Sequence, residues 1–304
     1  MTWFLTGPFV YAAVALLAVG TVCRVVAILR MPPHLRWELY PLPGLRPAGS
    51  GHQQNSPERR RHRLAEFRFM AEEILLLRKV FAQRRSLWVG SWLMHAGLYL
   101  GTCFLAMLLA GAAMTLLGLS PDAGRWPVAR GFRALTALTG SVAMIAGLTG
   151  AVWLLVLRVT DRGLRAMSDT VSYFHLGLLA AMFAAGLAVW SADAGFAECR
   201  QHLASLLRLQ PGTVQSLPLT VAIALAAVFA AIFPFGRLFH PVAKYFFYHT
   251  ILWDDGPITR GSTKEHEILD CLSERVTWSA GHVVPQGTWL EQAQSPGSGK
   301  APAP

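Results

Sequence analysis

Five stretches of the chain run for about 20 residues or more, the length needed to cross a bilayer, with few charges: Trp3 to Leu29, Ser86 to Leu117, Phe132 to Leu157, Thr170 to Trp190, and Leu217 to Phe239. In hydrocarbon no water is available to a bare amide, so each stretch must satisfy its own backbone as a helix. An all-α membrane protein is therefore expected, a bundle of five transmembrane helices. Composition agrees: 53% of the residues are hydrophobic and 14% charged, where a soluble domain carries about 25% charged residues. Mean hydropathy is +0.40. The first stretch has neither a basic leader nor a small-residue cleavage site, so it reads as a retained span and not as a signal peptide.

The spans divide the chain into a first helix (1–29), a loop with an amphipathic helix (30–85), a four-helix core (86–240) and a tail (241–304). Arg and Lys crowd the stretch from Arg30 to Arg85, the loop Arg158 to Arg165 and the tail. The opposite side holds Arg125 and Arg130 in one loop and Arg200 and Arg208 in the other. Basic residues near spans stay cytoplasmic. The amino terminus is thus expected outside and the tail in the cytoplasm. The net charge of +10 follows from this bias and implies no nucleic acid.

Cys23, Cys103, Cys199 and Cys271 are scattered, without a CxxC or CxxCH pattern. An iron–sulfur cluster or covalent c-type haem has no ligand set here, so any cluster belongs to another subunit. Met31 to Pro43 is proline-rich and reads as an extended segment, with Trp37 and Tyr40 set either to bury against a partner or to lie on the membrane interface. Gly44 to Arg61 reads as a loop, and His62 to Arg85 as one amphipathic interfacial helix leading into the second span.

Histidines carry the chemistry. His95 lies among Trp88, Trp92 and Tyr99 near the start of the second span. His240 closes the fifth apolar stretch, after Ile232-Phe-Pro-Phe-Gly-Arg-Leu-Phe. Two imidazoles at matching depth on separate helices suggest a haem held between helices two and five. Its propionates would need cations at the interface, for which Arg237, Arg84 and Arg85 are candidates. Gly90, Gly97 and Gly101 would let either a flat macrocycle or a second helix lie against the backbone. His175, two turns into the fourth span, reads as a rival ligand, a proton-handling group near a quinone, or an interhelical hydrogen-bond partner. Asp169 is placed to cap that span. The loop Ser191 to Ser216, with Asp193, Glu198 and His202, reads as a short interfacial helix and not as a metal site. Pro241 to His249 is set to hug the interface. The polar tail beyond it is expected to dock on a soluble partner and to end in a disordered Pro/Gly/Ser tract.

Ser91 to Tyr99 and Phe233 to His240 resemble the membrane cytochrome b (gamma) subunit of respiratory nitrate reductase and its relatives. Met31 to Pro43, Glu73 to Arg78 and Val276 to His282 look closer to the membrane subunits of the electron-transfer complexes of sulfate reducers. In the gamma subunits four histidines hold two b haems. The resemblance makes His95 and His240 the axial pair of the haem nearer the cytoplasm. The other two ligands would fall at Leu105 and near Ala222, so the resemblance implies one haem b and leaves the outer one without ligands. It also implies electron transfer between membrane (mena)quinone and a cytoplasmic iron–sulfur subunit. A haemless membrane anchor, and a haem b subunit serving an extracytoplasmic cytochrome c, are the competing readings.

Overall fold

The computed structural model describes residues 2–30, 57–123, 127–251, 260–261, 263–278, 283 and 286–294. The expected extended segment Met31 to Pro43, most of the Gly44 to Arg61 loop, the end of Val276 to His282 and the final tract lie outside the described residues. Among the described residues, five helices are long and apolar enough to cross a membrane: Thr2–Leu29, Arg85–Leu116, Pro127–Thr160, Thr170–Ala192 and Leu217–Phe235. Among the described residues there is no strand beyond one isolated bridge. The chain divides into two compact units, Met1–Val22 with Arg68–Phe239, and Cys23–Phe67 with His240–Pro304.

The first span is formed by α1 (Thr2–Thr6) and α2 (Pro8–Leu29), which meet at Gly7; the first unit takes it as far as Val22. A Cβ at Gly7 would stand 2.8 Å from Pro211, so the bend depends on the bare backbone. The second and third spans, α5 (Arg85–Leu116) and α6 (Pro127–Thr160), pack backbone to backbone. A side chain on Gly97 would fall on the main chain of Gly147, and one on Gly150 would fall on the main chain of Met94. Lipid supplies no hydrophobic drive between helices, so close packing of small residues takes its place. Rings fill the remaining notches: Phe104 lies against Gly140 and Phe183 against Gly147. Helix packing, not a macrocycle, thus uses Gly90 and Gly97, while among the described residues nothing stands within 4 Å of a Cβ at Gly101.

The amphipathic segment differs from its expectation. It starts earlier, as α3 (Pro57–Leu76), with proline in the first helical position where no donor is lost. It then breaks at Leu77, which is left-handed (φ 49°), resumes as α4 (Arg78–Gln83), and breaks again at the extended Arg84. Tertiary contacts decide the break. Side chains of α5 take the last carbonyls of α3: Trp88 Nε1 donates to Leu76 at 2.7 Å, Trp92 Nε1 to Leu75 at 3.1 Å, and Tyr99 Oη to Ile74 at 2.8 Å. A hydrophobic period cannot show this, because the groups involved are backbone oxygens.

After α6, Asp161 caps α7 (Arg162–Ala166), and Asp169 caps α8 (Thr170–Ala192) by accepting from the Ser172 N–H at 3.0 Å. The expected short helix is α9 (Ala197–Leu207). Ser216 caps α10 (Leu217–Ile232). The fifth helix stops there: two 3-10 turns, Phe233–Phe235 and Arg237–Phe239, precede α11 (His240–Ile251). Pro234 has no N–H to continue the ladder and Gly236 is extended. His240 therefore opens a new helix instead of ending the span.

In the second unit, α12 (Thr263–Ser273) and α13 (Trp289–Gln294) pack together. An antiparallel bridge joins Arg275 to Thr288, and Cys271, Val276 and Val283 are buried. The polar tail thus contains a small folded element.

Replacing Gly97 or Gly150 by Leu should cost about 1–3 kcal/mol or more, the scale of overpacking, since only backbone could yield. Resistance to SDS unfolding in mixed micelles would show the loss, whereas Gly101→Leu should leave resistance near the parent's.

Candidate functional site

One end of the first unit gathers most of the sequence-predicted groups. The Phe233–Phe239 corner is built residue by residue. The Phe233 ring packs on Phe229 and on Phe239, each at 5.9 Å. Pro234 is buried against Gly20 of α2, where a Cβ would stand 2.6 Å from its ring. Gly236 admits His175: a Cβ there would meet the imidazole Nε2 at 3.2 Å and Cε1 at 3.3 Å. Arg237 reaches α8, donating to Asp169 at 3.1 and 2.8 Å and to Ser172 Oγ at 3.1 Å. The corner thus fixes the end of α10 to α2 and to the start of α8.

The other two candidate cations are also engaged. Arg84 pairs with Asp161 at 2.5 Å, and this guanidinium, with the Leu164 N–H, holds the Asp161 carboxyl below its ordinary value. The Ser172 hydroxyl and N–H, with Arg237 adding to them, lower Asp169 in the same way. Both carboxylates are charged at neutral pH: Asp161 caps α7 and ties it to Arg84, and Asp169 caps α8 and ties it to Arg237. The Arg85 guanidinium stands 5.4 Å from the centre of the Phe81 ring.

His95 is half-buried on α5. Its Nδ1 stands 2.6 Å from the Ser91 carbonyl oxygen, and its ring centre lies 6.2 Å from that of Tyr99. A carbonyl only accepts, so Nδ1 carries a proton. His240 is the first residue of α11 and belongs to the second unit.

The opposite end of the first unit is closed. Phe104, Leu108, Val189, Phe196, Val214 and Leu219 form a buried apolar cluster, with Ala222, Ile223 and Cys199 packed against it. Leu105 is instead 50% exposed. Burial pushes the Cys199 thiol up to about 12, so it remains a protonated, apolar group. Beside the cluster, sequence reasoning missed a buried ion pair. Arg200 of α9 is fully buried and pairs with Asp122, also donating to the Gly195 carbonyl at 2.6 Å. Gly111 of α5 makes room for its side chain. A lone Arg in a loop gives no sequence signal of burial. His202 donates from Nε2 to the Thr6 carbonyl at 2.8 Å, Tyr11 to the Leu206 carbonyl at 2.8 Å, and Trp3 to the Pro211 carbonyl at 3.2 Å. These bonds tie the first span to α9 and to the loop that follows it.

A family model described as the nitrate reductase gamma subunit matches residues 63–253. The chain belongs to the nitrate reductase gamma subunit family. No curated protein and no solved structure matches it. The matched region holds four of the five spans, the Phe233–Phe239 corner and both His95 and His240. As a gamma-family chain with five apolar helices, it is a multi-pass membrane protein and a b-type cytochrome subunit of a respiratory oxidoreductase.

Asp122→Ala strands a buried guanidinium and should cost about 3–5 kcal/mol, whereas Asp122→Ala combined with Arg200→Met should recover most of that. Unfolding of the three chains in SDS titration tests this. His202 is depressed below its ordinary value by burial, which outweighs the opposing pull of the Thr6 carbonyl and Glu198. A depressed histidine binds more protons unfolded than folded, so its contribution is fully present above its unfolded value of about 6.5 and is lost as pH falls through the folded one. Acid-induced loosening of α9 is expected below that pH in the parent. In His202→Gln, which keeps a donor to Thr6, hydrogen exchange of α9 should show much less of it.

Proposed function

We propose that this gamma-family subunit holds one haem b through His95 and His240 and links membrane (mena)quinone to a cytoplasmic iron–sulfur subunit. The observation that carries the reading is the bond from His95 Nδ1 to the Ser91 carbonyl. In a neutral imidazole held this way Nε2 is the atom with the lone pair that an iron ligand requires, and the same bond orients the ring. His240 is assigned from its place in the Phe-Pro-Phe-Gly-Arg-Leu-Phe-His string, within the region that matches the family.

A bound b haem supplies a reversible one-electron iron couple. Arg237, Arg84 and Arg85 are assigned to its propionates. The Arg237–Asp169 pair is exposed, at 66% and 46%, so it is worth little on its own and can exchange one carboxylate for another at small cost. A single haem is supported at the opposite end: Leu105 and Ala222 have no donor atoms, and Ala222 packs on the closed apolar cluster. His175 is assigned a packing role on Gly236, with a proton-handling role beside quinone as the second reading. The basic residues from Arg59 to Arg85 and from Arg158 to Arg165 support an amino terminus outside and a tail in the cytoplasm, where α12 and α13 would meet the iron–sulfur subunit. Met31 to Pro43, Glu73 to Arg78 and Val276 to His282 support a place near the sulfate-reducer branch.

The test is haem stoichiometry by pyridine haemochrome assay on the detergent-purified chain. One b haem per chain is expected, lost in His95→Ala and in His240→Ala and kept in His175→Ala. Two haems, or haem retained without His95, would sink the assignment, and a colourless parent would leave a haemless anchor.

A further inference from the structure

Residues 88, 92, 95 and 99 follow the i, i+4, i+7, i+11 spacing of one helix stripe. His95 therefore shares its face of α5 with Trp88, Trp92 and Tyr99, the three side chains that hold the carbonyls of Leu76, Leu75 and Ile74. Gly90 and Gly97, which meet α6, lie on a different face. The last turn of α3 is thus fastened to the stripe that carries the imidazole. It is braced within its own segment too. Glu72 bridges Arg68 at 3.0 Å and Arg78 at 2.6 Å, spanning the left-handed Leu77. Glu73, buried, accepts from the Lys79 N–H at 3.3 Å. Aromatic contacts close the stack, with Phe81 edge-on to Trp88 at 5.0 Å and Trp88 stacked on Trp92 at 5.9 Å. All three donors to these consecutive carbonyls come from the histidine's own stripe.

We propose that the last turn of α3 is a wall of the haem site and that Trp88, Trp92 and Tyr99 are positioning residues that hold it there. This rests on the reading that His95 binds haem b. The shell around an iron ligand controls water access and local dielectric, and through them the reduction potential. With the wall in place, the imidazole face is shielded and the charged ferric state is disfavoured. Once it opens, water reaches that face and the ferric state gains. Loosening α3 therefore lowers the midpoint potential while the haem stays bound.

Tyr99→Phe and Trp92→Phe remove one donor each and keep an aromatic ring, so the full chain folds. Hydrogen exchange over residues 74–81 is expected to run roughly threefold to tenfold faster in each, the scale of one lost hydrogen bond, in both the haem-free and the haem-loaded chain. Redox titration should give a lowered midpoint potential, lowest in the double variant, and low-temperature EPR a shifted low-spin signal. Faster exchange with an unmoved potential and signal would overturn the proposal, leaving α3 as packing only. Unchanged exchange would overturn it differently, because the three bonds would not hold the turn. Haem retained in His95→Ala would overturn the ligand reading itself, and is separable because exchange in the haem-free chain would still rise in Tyr99→Phe.

Discussion

The contact between α5 and α6 is the constraint on which the first unit depends. At Gly97–Gly147 and at Gly150–Met94 the two main chains touch with no side chain between them. In lipid such contacts replace the hydrophobic drive that packs soluble helices, and they do so through dispersion and exclusion of tails. Because backbone meets backbone, neither helix can slide or rotate without a clash. The orientation of α5 is thereby fixed, and with it the face on which Trp88, Trp92, His95 and Tyr99 stand.

The breaks around this pair follow a common logic. A helix that stops in or near hydrocarbon leaves carbonyls that must find donors. At Leu76 the donors are aromatic side chains of α5, and at the end of α2's partner segment α1 the Thr6 carbonyl is taken by His202. At Phe233 to Phe239 the chain turns on a proline and an extended glycine, and the turn is held by Arg237 on Asp169. Each break needs a partner from elsewhere in the unit. Each is accordingly fixed and not merely permitted.

The two ends of the first unit differ in kind. The end with Arg84, Asp161, Asp169 and Arg237 carries exposed or half-exposed ion pairs that are cheap to rearrange. The end with α9 is closed by an apolar cluster and by the buried Arg200–Asp122 pair, which is costly to break. One end of the unit is thus held by pairs that can exchange, and the other by contacts that cannot be broken cheaply.

The five spans were legible in the sequence to within a few residues, because length and hydropathy alone decide what can cross hydrocarbon. The Asp169 cap and the short helix after the fourth span were legible too, from local pattern. The family was readable in His95 and the Phe-Pro-Phe-Gly-Arg-Leu-Phe-His string. Other features were not readable. The break at Leu77, the end of α10 at Ile232 instead of at His240, the burial of Arg200, and the choice between a second helix and a macrocycle at Gly90 and Gly97 all depend on groups far apart in sequence. A hydrophobic period records which residues prefer lipid or core, but not which carbonyl will meet which indole, nor which glycine will meet another backbone. Those pairings exist only once the helices are placed, and tertiary structure alone decided them.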